Sequence, residues 1–260
     1  MSIEDLVVGW VKSGLHKGDT LLIHTSLRRT LNELKTEGVS IKPGDVVDIL
    51  LDILGEEGTL LLPLFNFDFT KGVPFDLRST PSQMGAMTEA GRLHPDAIRT
   101  GHPVYSFASL GKHADRFAGV DNYSGYGADS PFAILHEMNG KIAVLDLPDL
   151  DSQTFYHHVE EMHEVPYRFH KQFSGSYADS EGNQSERTYS IFVRDINKKV
   201  LTHVDPAGEL MWRQGLYSGD RPNEKTGLRV VAAAEMYDFV SGIIESDTAE
   251  GLLYRIGTGE

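Results

Sequence analysis

Short apolar runs alternate with segments of helical hydrophobic spacing through the first two thirds of the chain. The short runs are typical of buried β-strands, whereas spacings of three and four residues are typical of amphipathic helices. We predict strands at residues 20–24, 59–64, 104–110 and 141–147, and helices at residues 43–54, 82–94, 131–138 and 154–164. This alternation predicts an α/β fold, a layered α/β/α sandwich with helices on both faces of a central sheet.

The pattern changes in the C-terminal third, where two strand-like segments flank a polar turn. Residues 173–177 and 187–194 enclose the turn at 179–183, which predicts an antiparallel hairpin and makes a mixed sheet the expected arrangement. Further helices are predicted at residues 206–214 and 232–245, with a strand at residues 228–231. Because no repeat or low-complexity linker divides the chain, we predict a single domain over residues 1–260.

Acidic side chains outnumber basic ones by 38 to 24, which gives the chain a formal net charge of −14. This charge disfavours nucleic acid and anionic membranes as partners, and it favours solubility or the attraction of a cationic substrate. The absence of cysteine excludes disulfides, thiolate metal sites and a cysteine nucleophile. The apolar runs at residues 21–23 and 60–64 are too short to span a membrane. The acidic first residues lack the basic start of a signal peptide, so we expect a cytoplasmic protein, and a homo-oligomer is compatible with the sequence.

His157 and Glu160 form the most informative pair, because residues three apart share one face of a helix. A carboxylate beside an imidazole orients the ring, raises its basicity and stabilises its charged form, as a general base requires. An ordinary solvated helix face is the structural alternative. A metal-dependent hydrolase that uses His157, Glu160 and His163 is a second alternative, although the His-Glu-x-x-His zinc signature is not present.

A polar segment follows the first predicted strand, at the edge where α/β folds bind ligands. His24, Thr25 and Ser26 offer an imidazole and two hydroxyl groups, and Arg28 suits a bidentate contact with phosphate. The segment therefore suits a phosphate-bearing cofactor. A Ser/Thr turn that caps the next segment explains the same residues.

Two further segments combine polar or aromatic residues with an irregular backbone. Pro103 favours an extended conformation of the preceding residue, His102, and the segment continues to Ser106. A structured ligand-binding loop and a well-fixed turn both explain this segment. Residues 66–81 form a long irregular stretch that includes Phe67 and Asp68. Loops of this length are often functional, and a surface excursion held by its aromatic side chains is the alternative.

In order and spacing, these segments resemble the aminoglycoside 3-N-acetyltransferase family, which has the antibiotic N-acetyltransferase fold. The resemblance covers about residues 15 to 165 and weakens in the C-terminal third. The matching residues are Gly18-Asp19-Thr20, His24-Thr25-Ser26-Leu27, Gly58-Thr59-Leu60 through Pro63, Met84-Gly85, Arg99-Thr100-Gly101-His102-Pro103 with Ser106, Gly111 and Ala114, Asp129-Ser130-Pro131, and Thr154-Phe155-Tyr156-His157-His158-Val159-Glu160. The resemblance implies transfer of an acetyl group from acetyl-CoA, bound in a cleft, to a primary amine, with no metal.

The resemblance also implies roles for single residues. His157 matches the general base of the family, Glu160 its partner acid, and Thr154 a threonine that helps to position the acyl group. The residues implied to line the CoA site are His24, Thr25, Ser26, Leu27, His102 and Ser106, and the chemistry of Arg28 adds a phosphate contact. Ser26 or backbone amides near it are candidates to stabilise the oxyanion of a direct transfer.

The resemblance implies an aminoglycoside as the acceptor, and an amino sugar or another biosynthetic amine is the alternative. We expect Phe67, Asp68 and Glu161 to bind this small-molecule amine. Many drug-modifying members carry a hydroxyl-rich stretch after the position of Pro63, where this chain has Leu64-Phe65-Asn66-Phe67. Aromatic side chains here and at Phe69 suggest a pocket whose walls stack against a sugar ring or a base.

Overall fold

The computed structural model describes residues 2–257, so Met1 and residues 258–260 of the predicted domain lie outside the described residues. The helices are α1 (Ile3–Lys12), α2 (Arg28–Thr36), α3 (Pro43–Leu54), α4 (Ala86–Arg92), α5 (Pro131–Glu137), α6 (Phe155–Met162), α7 (Asp205–Gln214) and α8 (Ala233–Glu245). The strands are β1 (Thr20–Thr25), β2 (Thr59–Pro63), β3 (Phe75–Asp76), β4 (Ile98–Arg99), β5 (Phe107–Gly111), β6 (Lys141–Leu145), β7 (Arg168–Ala178), β8 (Gln184–Arg194), β9 (Val200–Thr202), β10 (Ser218–Gly219), β11 (Leu228–Ala232) and β12 (Tyr254–Ile256). Within residues 2–257, no helix is long and apolar enough to cross a membrane.

The largest sheet within residues 2–257 has seven strands in the order β10-β11-β6-β1-β2-β5-β4. Strand β1 pairs in parallel with both β2 and β6, whereas β5 and β11 add to these neighbours in antiparallel orientation. The predicted mixed sheet is therefore confirmed. The C-terminal ends of β1 and β6 meet at one edge, which is where open α/β sheets place ligands.

Alternating side chains of the central strands divide the apolar core between the two faces of the sheet. In β1, Leu21 and Ile23 pack into the core shared with α1 and α3, whereas Leu22 packs into the core shared with α5, α6 and α8. Successive side chains of a strand point to opposite faces of the sheet, so a continuous apolar run has buried side chains on both faces. The two cores confirm the predicted α/β/α layers.

The predicted hairpin is longer than the sequence pattern indicated. Strands β7 and β8 have 11 residues each and pair without interruption from Arg168–Arg194 to Ala178–Gln184. The turn is held by Asp179, whose carboxylate accepts hydrogen bonds from the backbone amides of Glu181 and Asn183. The open end of the hairpin, which is the end farthest from this turn, begins with the pair Arg168–Arg194 and places Arg168 against α6.

The predicted starts of α4 and β5 lie several residues too early, and each difference has a local cause. Helix α4 begins at Ala86 rather than at residue 82, because Gly85 has a φ of 111° and the Ser82 hydroxyl bonds to Thr88 at 2.8 Å instead. Strand β5 begins at Phe107 rather than at residue 104. The amides just before it donate to the ring of His102 and form a turn.

Candidate active site

The helix α6 places His157 and Glu160 side by side on its inward face. His157 Nδ1 lies 2.7 Å from Glu160 Oε2, and the Glu160 side chain is fully buried. Thr154 precedes the helix, but its hydroxyl does not cap it and lies 3.4 Å from the carbonyl oxygen of Ser152. The spacing of three residues therefore produces the contact that the sequence predicted.

A third group, Arg168 at the start of β7, completes this cluster. Its Nε lies 2.7 Å from Glu160 Oε2, and its Nη1 donates to the carbonyl oxygen of Phe192 at 2.9 Å. Its Nη2 lies 3.4 Å from His157 Nε2. The carboxylate of Glu160 thus serves two partners, the imidazole and the guanidinium group.

Burial and the two charges set the protonation of the cluster. Burial lowers the pKa of His157, the charge of Arg168 lowers it further, and the bond to Glu160 only partly offsets both. Glu160 raises the pKa as the sequence indicated, but burial and Arg168 outweigh its contribution, so the ring is neutral at neutral pH. Burial would raise the pKa of Glu160, but the charge of Arg168 and the hydrogen bond to His157 outweigh it, so this pKa is lowered.

His157 lines a cavity of about 340 Å³ between α6 and the open end of the hairpin. About one fifth of its side chain is exposed, 19%, so the ring reaches the cavity from a largely buried position. The other lining residues are Tyr105, Tyr126, Arg168, Phe169, Lys171, Phe173, Ile191, Phe192, Val193, Arg194, Ile196 and Thr202. The volume is in the range of small-molecule sites.

A chain of aromatic rings connects this cavity with the end of β1. The ring of Tyr126 lies 5.4 Å from that of His157 and 4.6 Å from that of Tyr105. Phe65 follows at 4.8 Å from Tyr105, and His24 at 6.3 Å from Phe65. These rings join the two segments that the sequence analysis selected, and of the predicted aromatic wall only Phe65 belongs to them.

The end of β1 combines a buried imidazole with an open helix start. His24 is buried and its Nε2 has no hydrogen-bond partner within residues 2–257. Burial and the nearby charge of Arg229 lower the pKa of His24 to about 3, so the ring is neutral. Thr25, Ser26 and Leu27 are half-buried, and α2 begins at the exposed Arg28 without a side-chain cap. Uncapped amides beside a guanidinium group suit a phosphate.

His102 and Ser106, which the resemblance implied to line the CoA site, are fully buried. His102 Nδ1 accepts the amides of Val104 and Tyr105 at 3.2 and 3.0 Å, and its Nε2 lies 3.3 Å from the carbonyl oxygen of Ser190. Ser106 Oγ lies 3.2 Å from Arg99 Nε. His102 thus holds the backbone of the loop, as the alternative of a well-fixed turn predicted, whereas Ser106 accepts from the side chain of Arg99.

The three residues predicted to bind the acceptor lie in different settings. Phe67 is 37% exposed and packs edge-on against Tyr105 at 5.9 Å, outside the cavity lining. Asp68 already bonds to Lys71 at 3.1 Å and to a side-chain amide at 2.9 Å. Glu161 is buried and accepts the hydroxyl of Ser124 at 2.9 Å, and burial raises its pKa. Both carboxylates already have hydrogen-bond partners, and the side chain of Asp68 remains 40% exposed.

The metal-ligand set considered as an alternative is not assembled. His163 Nε2 lies 2.8 Å from Ser241 Oγ, whereas Glu160 is engaged by His157 and Arg168. Among residues 2–257, no group of three His, Asp or Glu side chains is arranged to hold a metal ion.

The sequence model of one family, described as aminoglycoside 3-N-acetyltransferase, matches residues 22–245. The chain belongs to this family. Aminoglycoside N(3)-acetyltransferase VII of Streptomyces paromomycinus is 29% identical over 176 residues, which are 59% of this chain and 58% of that protein. A prophage-derived aminoglycoside N(3')-acetyltransferase-like protein of Bacillus subtilis is 28% identical over 60% of this chain and 62% of its own length. The matched segments thus span about three fifths of these curated relatives.

Solved structures of the aminoglycoside 3-N-acetyltransferase type share the fold over nearly the whole chain. Aminoglycoside acetyltransferase AAC(3)-Xa superposes with a TM-score of 0.77 at 25% identity, covering 95% of this chain and 93% of that chain. The binary complex of AAC-IIIb with CoASH gives a TM-score of 0.79 at 22% identity, covering 100% and 99%. The predicted fold and family are confirmed.

The sequence analysis missed several residues at this site, and Arg168 is the one that contacts both His157 and Glu160. The resemblance ended at about residue 165, immediately before this residue. The available signal was electrostatic, because a carboxylate that shares a catalytic face with His157 needs a cationic partner if that face is buried. Nothing in the sequence specified which basic residue after α6 is the partner of Glu160.

Proposed function

We propose that this member of the aminoglycoside 3-N-acetyltransferase family transfers an acetyl group from acetyl-CoA to a primary amine, with His157 as the general base. The observation that carries the proposal is the cluster of His157, Glu160 and Arg168 at the wall of a ligand-sized cavity. The family match and the complex of the similar AAC-IIIb with CoASH support CoA as the acyl carrier.

The hydrogen bond to Glu160 fixes the tautomer of His157. When Nδ1 carries the proton and donates it to the carboxylate, Nε2 keeps its lone pair, which faces Arg168 Nη2 at a long 3.4 Å, and the amine must replace this contact to transfer its proton to Nε2. The amine nitrogen then forms a bond with the acetyl carbon, the carbon–sulfur bond breaks, and CoA leaves as the thiol. A lowered pKa suits this role, because the ring is already neutral when the substrates bind.

The end of β1 is the candidate site for acetyl-CoA. Arg28 and the uncapped start of α2 suit its phosphates, and the half-buried Thr25, Ser26 and Leu27 connect this helix start with His24 along the chain. Ser26 as an oxyanion donor and Thr154 as a positioning residue for the acyl group belong to the same proposal. We further propose that the enzyme acts in the cytoplasm.

Two classes of amine are candidates for the acceptor. The names of the curated relatives favour an aminoglycoside. The basic side chains in the cavity, Arg168, Lys171 and Arg194, favour the second class, an amino sugar or another biosynthetic amine that is not a polycation.

The substitution His157→Ala tests the reaction and the base together. We expect amine-dependent release of CoA thiol from acetyl-CoA to fall by about 10²- to 10⁴-fold, the range that a general base contributes. Binding of CoA, measured by calorimetry, should change by no more than a few fold. His163→Ala, in the same helical region but bonded to Ser241, is the matched control and should retain activity. Full activity of His157→Ala would contradict the assignment of the base.

A further inference from the structure

The cavity beside His157 has a charge opposite to that of the chain. Its lining contains Arg168, Lys171 and Arg194 and, among the described residues, no aspartate or glutamate. The chain as a whole carries a net charge of −14. A cationic cavity in so acidic a protein requires an explanation of its own, because the overall field would attract cations and not anions.

Two of these cations have no charged partner. The side chains of Lys171 and Arg194 are exposed and form no ion pair or hydrogen bond within residues 2–257. The ammonium group of Lys171 lies 5.2 Å from the ring centre of Phe173. Both charges therefore remain available to a ligand.

The pairing of β7 and β8 adds a second, independent observation. Arg168 and Arg194 stand directly opposite each other in the register of the hairpin. Like charges at directly opposite positions destabilise a sheet. Glu160 compensates Arg168, but no carboxylate of the described residues compensates Arg194. An anion in the cavity would remove this repulsion.

The carboxylates nearest to the site do not offset the positive wall. Glu160 is shared between His157 and Arg168, and Glu161 is bonded to Ser124. A polycationic acceptor would therefore meet uncompensated cations on the wall that also presents the base.

We propose that the cavity binds an anionic group, a carboxylate or a phosphate, on the amine that His157 deprotonates. The assignment rests on the proposed acetyltransfer and names the acceptor class for it. Lys171 and Arg194 contact the anionic group, and the aromatic and aliphatic side chains of the lining contact the body of the acceptor. These two cations are then specificity residues of the reaction.

The phosphates of CoA are another source of the same chemistry, and two observations place them elsewhere. Arg194 and His157 line the same cavity, so the positive wall adjoins the reacting centre. In acetyl-CoA the long pantetheine arm separates the thioester from the phosphates. The exposed Arg28 at the uncapped start of α2 offers the phosphates a site at the end of β1.

Matched acceptors test the assignment on the full chain. Thiol release from acetyl-CoA is measured with glucosamine and glucosamine 6-phosphate, with tyramine and tyrosine, and with the polycation kanamycin. We expect KM to be about tenfold lower for the anionic member of each pair, as one charge-assisted contact provides. Lys171→Gln and Arg194→Gln should each remove this preference and leave KM for acetyl-CoA unchanged. Lys35→Gln, an exposed cation on α2, is the control and should change neither value.

Each contrary result has a distinct meaning. Equal KM values within the pairs, or a preference for kanamycin, would overturn the anionic acceptor and leave the acetyltransferase intact. A higher KM for acetyl-CoA in Lys171→Gln or Arg194→Gln would assign the cations to the phosphates of CoA and would also overturn it. If no amine supports thiol release, the proposed function fails, and the assignment of the acceptor fails with it.

Discussion

The substitution Glu160→Gln separates the structural role of this carboxylate from its role in the reaction. Glutamine keeps the shape of the side chain but removes the charge that holds both His157 and Arg168. The side chain of Glu160 is fully buried and that of Arg168 is 5% exposed, so solvent cannot replace the lost partner. The variant therefore leaves a buried guanidinium group without a counter-ion.

The expected loss of stability follows from that unpaired charge. Removal of one member of a buried ion pair costs about 3–5 kcal/mol, and because glutamine still accepts a hydrogen bond we expect about 3 kcal/mol. Arg168→Met in the same chain removes the orphaned charge, so the double variant should lose only about 1 kcal/mol relative to the original protein. Stability should return in the double variant, whereas activity should not.

The pH dependence has a definite sign in each variant. A general base works when it is neutral, so the rate rises with pH through the pKa of His157. Glu160→Gln removes a group that raises this pKa, so the acidic limb should move to lower pH and the maximal rate should fall by about 10²-fold or more. Arg168→Met removes a group that lowers the pKa, so its acidic limb should move to higher pH.

Urea unfolding and the pH profile of thiol release measure these effects, with Glu235→Gln as the control on the exposed face of α8. Additive free energies of unfolding in the double variant would refute the coupling of Glu160 with Arg168, because contacting groups deviate from additivity. An unshifted acidic limb in both single variants would refute the electrostatic account of His157.

Two further predictions concern stability. Burial lowers the pKa of His24 to about 3 and of His102 and His158 to about 4, from an ordinary value of 6.5. As pH falls below 6.5 the unfolded chain binds protons that the folded chain does not, so each histidine lowers the free energy of unfolding by up to about 1.4 kcal/mol per pH unit. Urea unfolding from pH 7 to 4.5 should show this slope, and His158→Gln should reduce it by the contribution of about one proton. A free energy of unfolding that does not change with pH would contradict this account. Asp149→Asn should lower the free energy of unfolding by about 3 kcal/mol, since Asp149 is buried and accepts from Arg229 at 2.6 Å, whereas the exposed Asp151→Asn should change little in the same assay.

Elements marked by local chemistry were predictable from the sequence. Helix α3 has its predicted bounds, because proline starts it and Gly55, with a φ of 67°, ends it. The short buried strands β1, β2 and β6 were recognised from their apolar runs. Helix α1 was missed although Ser2 and Asp5 form a capping box that the sequence displays. Helix α2 was missed because Leu27, its first flanking residue, carries no capping side chain.

The remaining strands depend on partners that are distant in sequence. Strands β4 and β10 are two residues long and exist only because they pair with the edges of the large sheet. Their sequences contain no alternation that a local rule could detect. The burial of His102 likewise depends on tertiary structure, since its Nε2 contacts the carbonyl oxygen of Ser190, which is 88 residues away in the sequence.

The same division between local and distant partners explains why the sequence indicated only one of the contributions to the pKa of His157. The sequence shows the carboxylate of Glu160, which raises that pKa, but neither the burial nor the approach of Arg168, which lower it. Arg168 reaches the site only because the hairpin of β7 and β8 packs against α6. Glu160 therefore has a broader role than its position on the helix suggests. It orients the ring of the base, and it compensates a cation that would otherwise face the base in a buried site.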